Sequence, residues 1–262
     1  LGVAWDGAGF GPDGTIWGGE FLRITDAGWQ RAAHLRPFPL PGGTAAIREP
    51  RRAALGLLYT AHGAGAFEMS DLAPVAAFAP AERRIVQTML ERSANAPITT
   101  SAGRLFDAFA ALCGLRQRAG YEGQAAAELE WAADGLVADG CYDLPLRGSG
   151  DAPIVVDWAP ALAAALAELR AGASAARVSA ALHAGLARAI AAVAARCGVQ
   201  TVALTGGCFQ NVRLTELAVA ALQTDGRTPI WHRRIPPNDG GIAVGQAVWA
   251  AWPERWGGAP CA

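Results

Sequence analysis

Thr201–Ala250 reads TVALTGGCFQNVRLTELAVAALQTDGRTPIWHRRIPPNDGGIAVGQAVWA, and the order of its elements decides the fold class. Thr201–Leu204 is a short apolar run halted by glycine, the pattern of a buried strand. Gly206 and Gly207 let the backbone turn sharply or lie against a ligand, since neither has a Cβ. Asn211 stands where a helix begins, and Val212, Leu214, Leu217, Ala218, Ala221 and Leu222 follow at helical spacing. A second strand-like piece, Pro229–Arg233, leads into Pro236–Gly241 and another apolar helix. Twice, then, a strand ends in a glycine-bearing turn with a polar side chain at a helix start. In α/β sheets that edge takes phosphates and small ligands, because free helix amides and the helix dipole attract anions there. Asn211, Asn238 and Asp239 can equally be plain helix caps, and the paired glycines plain turns.

Leu1–Thr25 (LGVAWDGAGFGPDGTIWGGEFLRIT) predicts a β-hairpin whose turn is rich in glycine, with Ile16–Ile24 as the returning strand. Such a turn is either a long hairpin loop or a cradle of backbone N–H groups for phosphate. Trp29–Pro41 is extended, with Pro37, Pro39 and Pro41 excluding a helix. From residue 45 to 139 the strand signal fades, and helices are expected over Ala45–Ala61, Ala81–Ala94, Ala102–Leu115 and Gln124–Ala138. The expected organisation is an α/β lobe (1–44 and 140–252), a helical insertion (45–139) and a tail (253–262). Pro160–Ala171 and Ala175–Cys197 are further amphipathic helices. His183 lies among Leu182, Leu186 and Ile190 and reads as a packed, hydrogen-bonded ring; Cys208 reads as a small packed residue.

Within Ala102–Leu115, Ser101 is the expected N-cap and Leu105, Phe106, Phe109, Leu112 and Cys113 form one apolar arc. Gly103, Asp107, Ala110 and Gly114 make a separate stripe of small residues with one carboxylate. That stripe suits helix packing, or a ligand lying close with Asp107 accepting from its hydroxyls.

The 262 residues suffice for one large domain or two lobes, and 52% hydrophobic against 17% charged residues excludes a disordered chain. A net charge of −1 gives no polycationic footprint, so no nucleic-acid partner is expected. The nearest approach to a membrane-length apolar run, Ala181–Cys197, carries Arg188 and Arg196 and reads as a packed helix, so no membrane partner is expected. Cysteines at 113, 141, 197, 208 and 261 include no C-x-x-C pair, which fits reduced thiols in a cytoplasm. The start has neither an initiator Met nor a signal-peptide pattern, and the chain reads as a fragment.

GGCFQN (206–211), HRRIPPNDGGIAVGQA (232–247), SAGRLFDAFAALCGL (101–115) and YEGQAAAELE (121–130) together resemble the C-terminal part of the HypF-type hydrogenase-maturation carbamoyltransferases. That part is similar to the catalytic subunit of the tRNA threonylcarbamoyladenosine synthases. Both belong to the actin/Hsp70/sugar-kinase superfamily, so the resemblance implies an α/β, ribonuclease H-like lobe with a helical insertion. It also implies that the first part of the nucleotide-binding lobe lies outside this chain. By the same resemblance Asp6, Gly7, Gly9, Gly18 and Gly19 lie near phosphates, Asp107 meets a ribose, and Gly123 and Glu128 stand nearby. Gly206 and Gly207 admit phosphate, Asn211 holds the nucleotide, and Asp239 is a ligand to a divalent metal. The other metal ligands would be histidines ahead of Leu1, since His34, His62, His183 and His232 match no ligand position.

The implied reaction is carbamoyl transfer from a carbamoyl adenylate, made from carbamoyl phosphate and ATP, to the C-terminal cysteine of a HypE-like acceptor. No catalytic residue is named by the sequence. Two other readings stay open: a phosphotransferase of the same superfamily, and a docking fragment without catalysis.

Overall fold

The computed structural model describes residues 1–25, 28–137, 139–148, 150 and 152–252. The expected tail and Cys261 lie outside the described residues. Nine strands form one sheet among the described residues: β1 (Gly2–Phe10), β2 (Ile16–Thr25), β3 (Gly28–Leu35), β4 (Phe38–Pro39), β5 (Ile98–Thr99), β6 (Leu146–Arg147), β7 (Ile154–Val156), β8 (Thr201–Thr205) and β9 (Thr228–Trp231). The main path runs β6-β7-β3-β2-β1-β8-β9, with β4 and β5 beside it. β1, β2 and β3 are an antiparallel meander, whereas β8 pairs parallel to both β1 and β9.

This topology brings the carboxyl ends of β8 and β9 level with the point where β1 leaves its ladder. Ala4 pairs with Thr205 across β1 and β8, and Leu204 with Trp231 across β8 and β9. The residues after them therefore emerge at one edge, the usual ligand edge of a parallel α/β sheet. The β1–β2 pairing shifts register between Trp5 and Gly9, so the backbone around Asp6 and Gly7 leaves the ladder at that edge.

The helices are α1 (Ala45–Arg48), α2 (Pro50–His62), α3 (Ala73–Ala76), α4 (Pro80–Glu91), α5 (Ala102–Leu112), α6 (Gln124–Ala132), α7 (Ala159–Arg170), α8 (Ala175–Arg196), α9 (Val212–Thr224) and α10 (Ile242–Ala251). The short β5 interrupts the stretch expected to be wholly helical, pairing with β4 and β2. All of α5 is buried, packed between α2, α6 and β1, because its apolar arc and its small-residue stripe both face protein. The stripe works by close approach: a Cβ on Gly103 would come within 2.8 Å of the Gly7 Cα. The same helix is tied down at its start. Ser101 Oγ accepts from Arg104 N at 3.0 Å and donates to the carbonyls of Asp6 and Gly7 at 2.8 and 2.7 Å.

The core joins both faces of the sheet through Trp5, Phe21, Phe106, Phe109, Leu182, Leu204 and their neighbours. Trp5 stacks on Phe209 and meets Phe21 edge-on, which fixes β1 against the turn after β8. α8 is long and apolar enough to cross a membrane by length and composition, yet 72% of its apolar window is buried inside this fold. α10, apolar apart from Gln246, buries none of its residues.

Candidate functional site

The carboxyl edge of β1, β8 and β9 opens into a cavity of about 620 Å³ between the sheet, α5, α6 and α9. Asp6, Gly7, Gly123, Gly207, Asn211 and Asp239 all line it. They come from four separated stretches of chain. A smaller cavity of about 260 Å³ lies on the other side of Asp6, Asn238 and Asp239, and Gly9, Gly18 and Gly206 line that one. Gly19, Asp107 and Glu128 line neither.

Glycine is required at the turn after β8. Gly206 has φ +98°, and a Cβ there would overlap the Trp5 carbonyl, so the turn can press against β1 only with glycine. A Cβ on Gly207 would stand 2.8 Å from Asp6 Oδ1 and narrow the cavity where strand and turn meet. Asp6 holds its place by accepting from Gly7 N at 2.7 Å.

Asn211 caps α9, its Oδ1 accepting from Leu214 N at 2.7 Å. Its amide nitrogen is 2.9 Å from His183 Nε2. His183 is fully buried against Phe106, with Nδ1 at 2.7 Å from the Ser179 carbonyl. Donation from Nδ1 makes Nε2 the acceptor for Asn211, and burial lowers the imidazole pKa to about 4. The ring is therefore neutral at neutral pH and positions Asn211.

The amides at the start of α9 are not free, contrary to what the strand–turn–helix pattern suggests. Glu130 Oε1 accepts from Val212 N at 2.7 Å and Arg213 N at 3.2 Å, and Asn211 takes Leu214 N. A carboxylate of the chain itself already sits where an anion would bind. Asn238 likewise caps the turn at Asp239, accepting from Gly240 N at 3.1 Å.

Asp107 stands behind the cavity wall, 2.8 Å from Arg104 in a pair whose side chains are each 3% exposed. Burial pushes its carboxyl up to about 6 against the pull of Arg104, and the charge of Glu122 adds to the rise. Glu128 pairs with Arg116 at 2.5 Å, and that contact holds its carboxyl below the usual range. Gly19 donates to the buried Glu20 at 2.7 Å, as Gly18 does at 2.5 Å. Burial raises the Cys208 thiol, so it stays protonated and is no thiolate nucleophile.

Arg104, Glu130 and Trp131 also line the cavity, and Glu130 and Trp131 carry no signal of their own in the sequence. Arg104 alone had a clue, standing three residues before Asp107 on one helix face. No group of three or more His, Cys, Asp or Glu among the described residues is placed to hold a metal. His34 contacts its neighbour's carbonyl at Leu35, His183 is taken by Ser179 and Asn211, and His232 meets Thr205. Asp239 offers one carboxylate, so the described residues alone do not fit a metal centre.

The family described as carbamoyltransferase, Kae1-like domain, second subdomain, matches residues 2–246. Carbamoyltransferase HypF of Synechocystis sp. is 40% identical over 95% of this chain and 33% of the relative, and that of Rhodobacter capsulatus is 44% identical over 95% and 32%. This chain thus spans about a third of the length of these curated relatives. Among solved structures, full-length HypF in a phosphate- and nucleotide-bound form superposes with a TM-score of 0.82 at 32% identity, over 95% of this chain and 39% of that one. HypF of T. kodakarensis superposes with a TM-score of 0.83 at 30% identity, over 97% and 34%. The chain belongs to the HypF carbamoyltransferase family, where it corresponds to the second subdomain of the Kae1-like domain.

Proposed function

We propose that this chain holds the nucleotide half of a carbamoyl adenylate in a HypF-type carbamoyltransferase. In this reading the parent enzyme makes the adenylate from carbamoyl phosphate and ATP. It then passes the carbamoyl group to the C-terminal cysteine thiol of a HypE-like acceptor, in the cytoplasm, during [NiFe]-hydrogenase maturation. The observation that carries it is the convergence of Asp6, Gly7, Gly123, Gly207, Asn211 and Asp239 on one cavity of nucleotide size.

The roles follow from the chemistry of each group. Gly7 and Gly207 lack the side chains that would fill the corner between β1 and the turn after β8, leaving backbone to approach the ligand. Asn211, oriented by His183, keeps an amide hydrogen and an oxygen lone pair for the ligand once its two internal contacts are made. Trp131, Ala126, Ala127 and Val212 give the opposite wall an apolar character suited to a base. Gly9, Gly18 and Gly206 face the smaller cavity beyond Asp6, where the acceptor side of the reaction has room. A divalent cation is part of the family reading, and Asp239 would supply one ligand to it, with the others coming from outside the described residues.

The test uses the full-length parent with carbamoyl phosphate, ATP and the acceptor protein. Gly207→Val is expected to abolish transfer with folding intact, because the side chain occupies the ligand's corner. Full transfer by a folded Gly207→Val enzyme would reject the reading.

A further inference from the structure

Among the described residues, Arg104 is the one cation on the wall of the larger cavity, and two of its three guanidinium nitrogens have nothing to bond. Nη2 is in charge contact with Asp107 at 2.8 Å, while Nε and Nη1 are buried without any acceptor. Only 3% of the side chain is exposed. A guanidinium carries five donors in a planar fork, and leaving a buried charged donor unpaired is costly. The fork faces the Gly7 corner: Nη2 is 3.7 Å from the position of a Cβ on Gly7, and Glu122 Oε1 is 3.5 Å from the same point. The remaining ionisable wall residues, Asp6, Glu122, Glu130, Asp239 and the Cys208 thiol, offer an anion no positive charge.

We propose that Arg104 binds the phosphate of the cavity's ligand, turning so that the unpaired Nη1 and the second hydrogen of Nη2 meet two phosphate oxygens. Planar, two-point contact with phosphate is what this side chain does best. Asp107 is then a positioning residue that holds the guanidinium at the wall until the ligand enters. The helix register enforces this, since residues three apart share a face and Ser101 pins the first turn of α5 beside Gly7. The inference rests on the nucleotide reading above, and it adds the residue that meets the phosphate.

The experiment is calorimetric titration of the intact chain with adenosine, AMP and inorganic phosphate. The wild-type chain is expected to bind AMP more tightly than adenosine. The paired variant Arg104→Met/Asp107→Asn removes both buried charges, so no lone ion is stranded. Its AMP-to-adenosine affinity ratio is expected to fall about tenfold or more. Arg104→Lys/Asp107→Asn, which retains a cation, is expected to recover part of that loss. An AMP-to-adenosine ratio unchanged in the paired Met variant overturns the proposal while leaving the nucleotide reading standing. Phosphate binding that depends on Arg104, without adenosine binding, supports Arg104 and sinks the nucleotide reading. A wild-type chain that binds none of the three sinks both. Should the paired variants fail to fold, the Arg104 Nε–H resonance of the wild-type chain decides. It is expected to move with AMP and to stay put with adenosine, and a resonance indifferent to AMP overturns the proposal.

Discussion

Glu130 and Arg213 each cap the helix that carries the other. Glu130, near the end of α6, accepts the first amides of α9 at Val212 and Arg213, at 2.7 and 3.2 Å. Arg213, in the first turn of α9, donates to the Ala133 and Leu136 carbonyls after α6, at 2.8 and 2.6 Å. A negative group sits on the positive helix end and a positive group on the negative end, so both contacts follow the helix dipoles. This clasp closes one end of the cavity. Glu130→Ala is expected to cost about 1–2 kcal/mol in urea unfolding. Combined with Arg213→Ala, the loss should fall short of the sum of the single losses by about 0.5 kcal/mol or more, since both variants open one junction. Strict additivity would mean the two caps act independently.

His183 and Asp107 push the pH dependence of stability in opposite directions. Burial lowers the His183 pKa from 6.5 to about 4, so between those values the unfolded chain binds more protons and stability rises with pH. Burial raises the Asp107 pKa from 3.8 to about 6, so there the folded chain binds more protons and stability falls with pH. Each effect is of the order of 3 kcal/mol across its window, at about 1.4 kcal/mol per pKa unit, and the windows nearly coincide. The two contributions therefore largely cancel in the wild type. Asp107→Asn removes only the falling contribution, so its stability should climb more steeply than the wild type's from pH 4 to 6.5. That holds even though stranding Arg104 lowers its stability throughout. Parallel curves for the two proteins, measured by urea titration at several pH values, would contradict the assignment.

The strand–turn–helix order after Thr201 is legible because local rules govern it: apolar runs, glycine and cap residues within a few positions. The same rules recover α5 with its Ser101 cap, and the packing of His183. What they miss is set by contacts between distant stretches. Nothing near Glu130 says that it will fill the amides of α9, more than 80 positions away by its bond to Val212. Asp107 is visible as a carboxylate on a stripe of small residues, but whether that stripe faces a ligand or Gly7 depends on how α5 docks. The strand β5 escapes notice because two residues carry no periodicity.

Asn211 separates a capping role from a ligand role. Asn211→Asp keeps an oxygen for Leu214 N but loses the amide hydrogen given to His183, and it sets a negative charge beside the imidazole. The α9 cap should survive with a stability change under about 1 kcal/mol. The His183 pKa should rise from about 4, because a neighbouring carboxylate favours the charged ring. Histidine resonances followed against pH report this directly, and a ring that still titrates as in the wild type would show that Asn211 does not set its environment.

Gly206 and Gly123 both have positive φ, +98° and +79°, but only one of them is also sterically enclosed. A Cβ on Gly123 meets nothing within 4 Å, so Gly123→Ala meets only the left-handed backbone penalty, about 1 kcal/mol. A Cβ on Gly206 runs into the Trp5 backbone and would force β8 and its turn away from β1. Gly206→Ala is therefore expected to lose about 3 kcal/mol or more, with the fluorescence of the buried Trp5 changing as its stack on Phe209 loosens. The order matters more than either figure. If Gly123→Ala proved the more damaging of the two, the carboxyl edge of β1 and β8 would not be the rigid element on which the cavity is built.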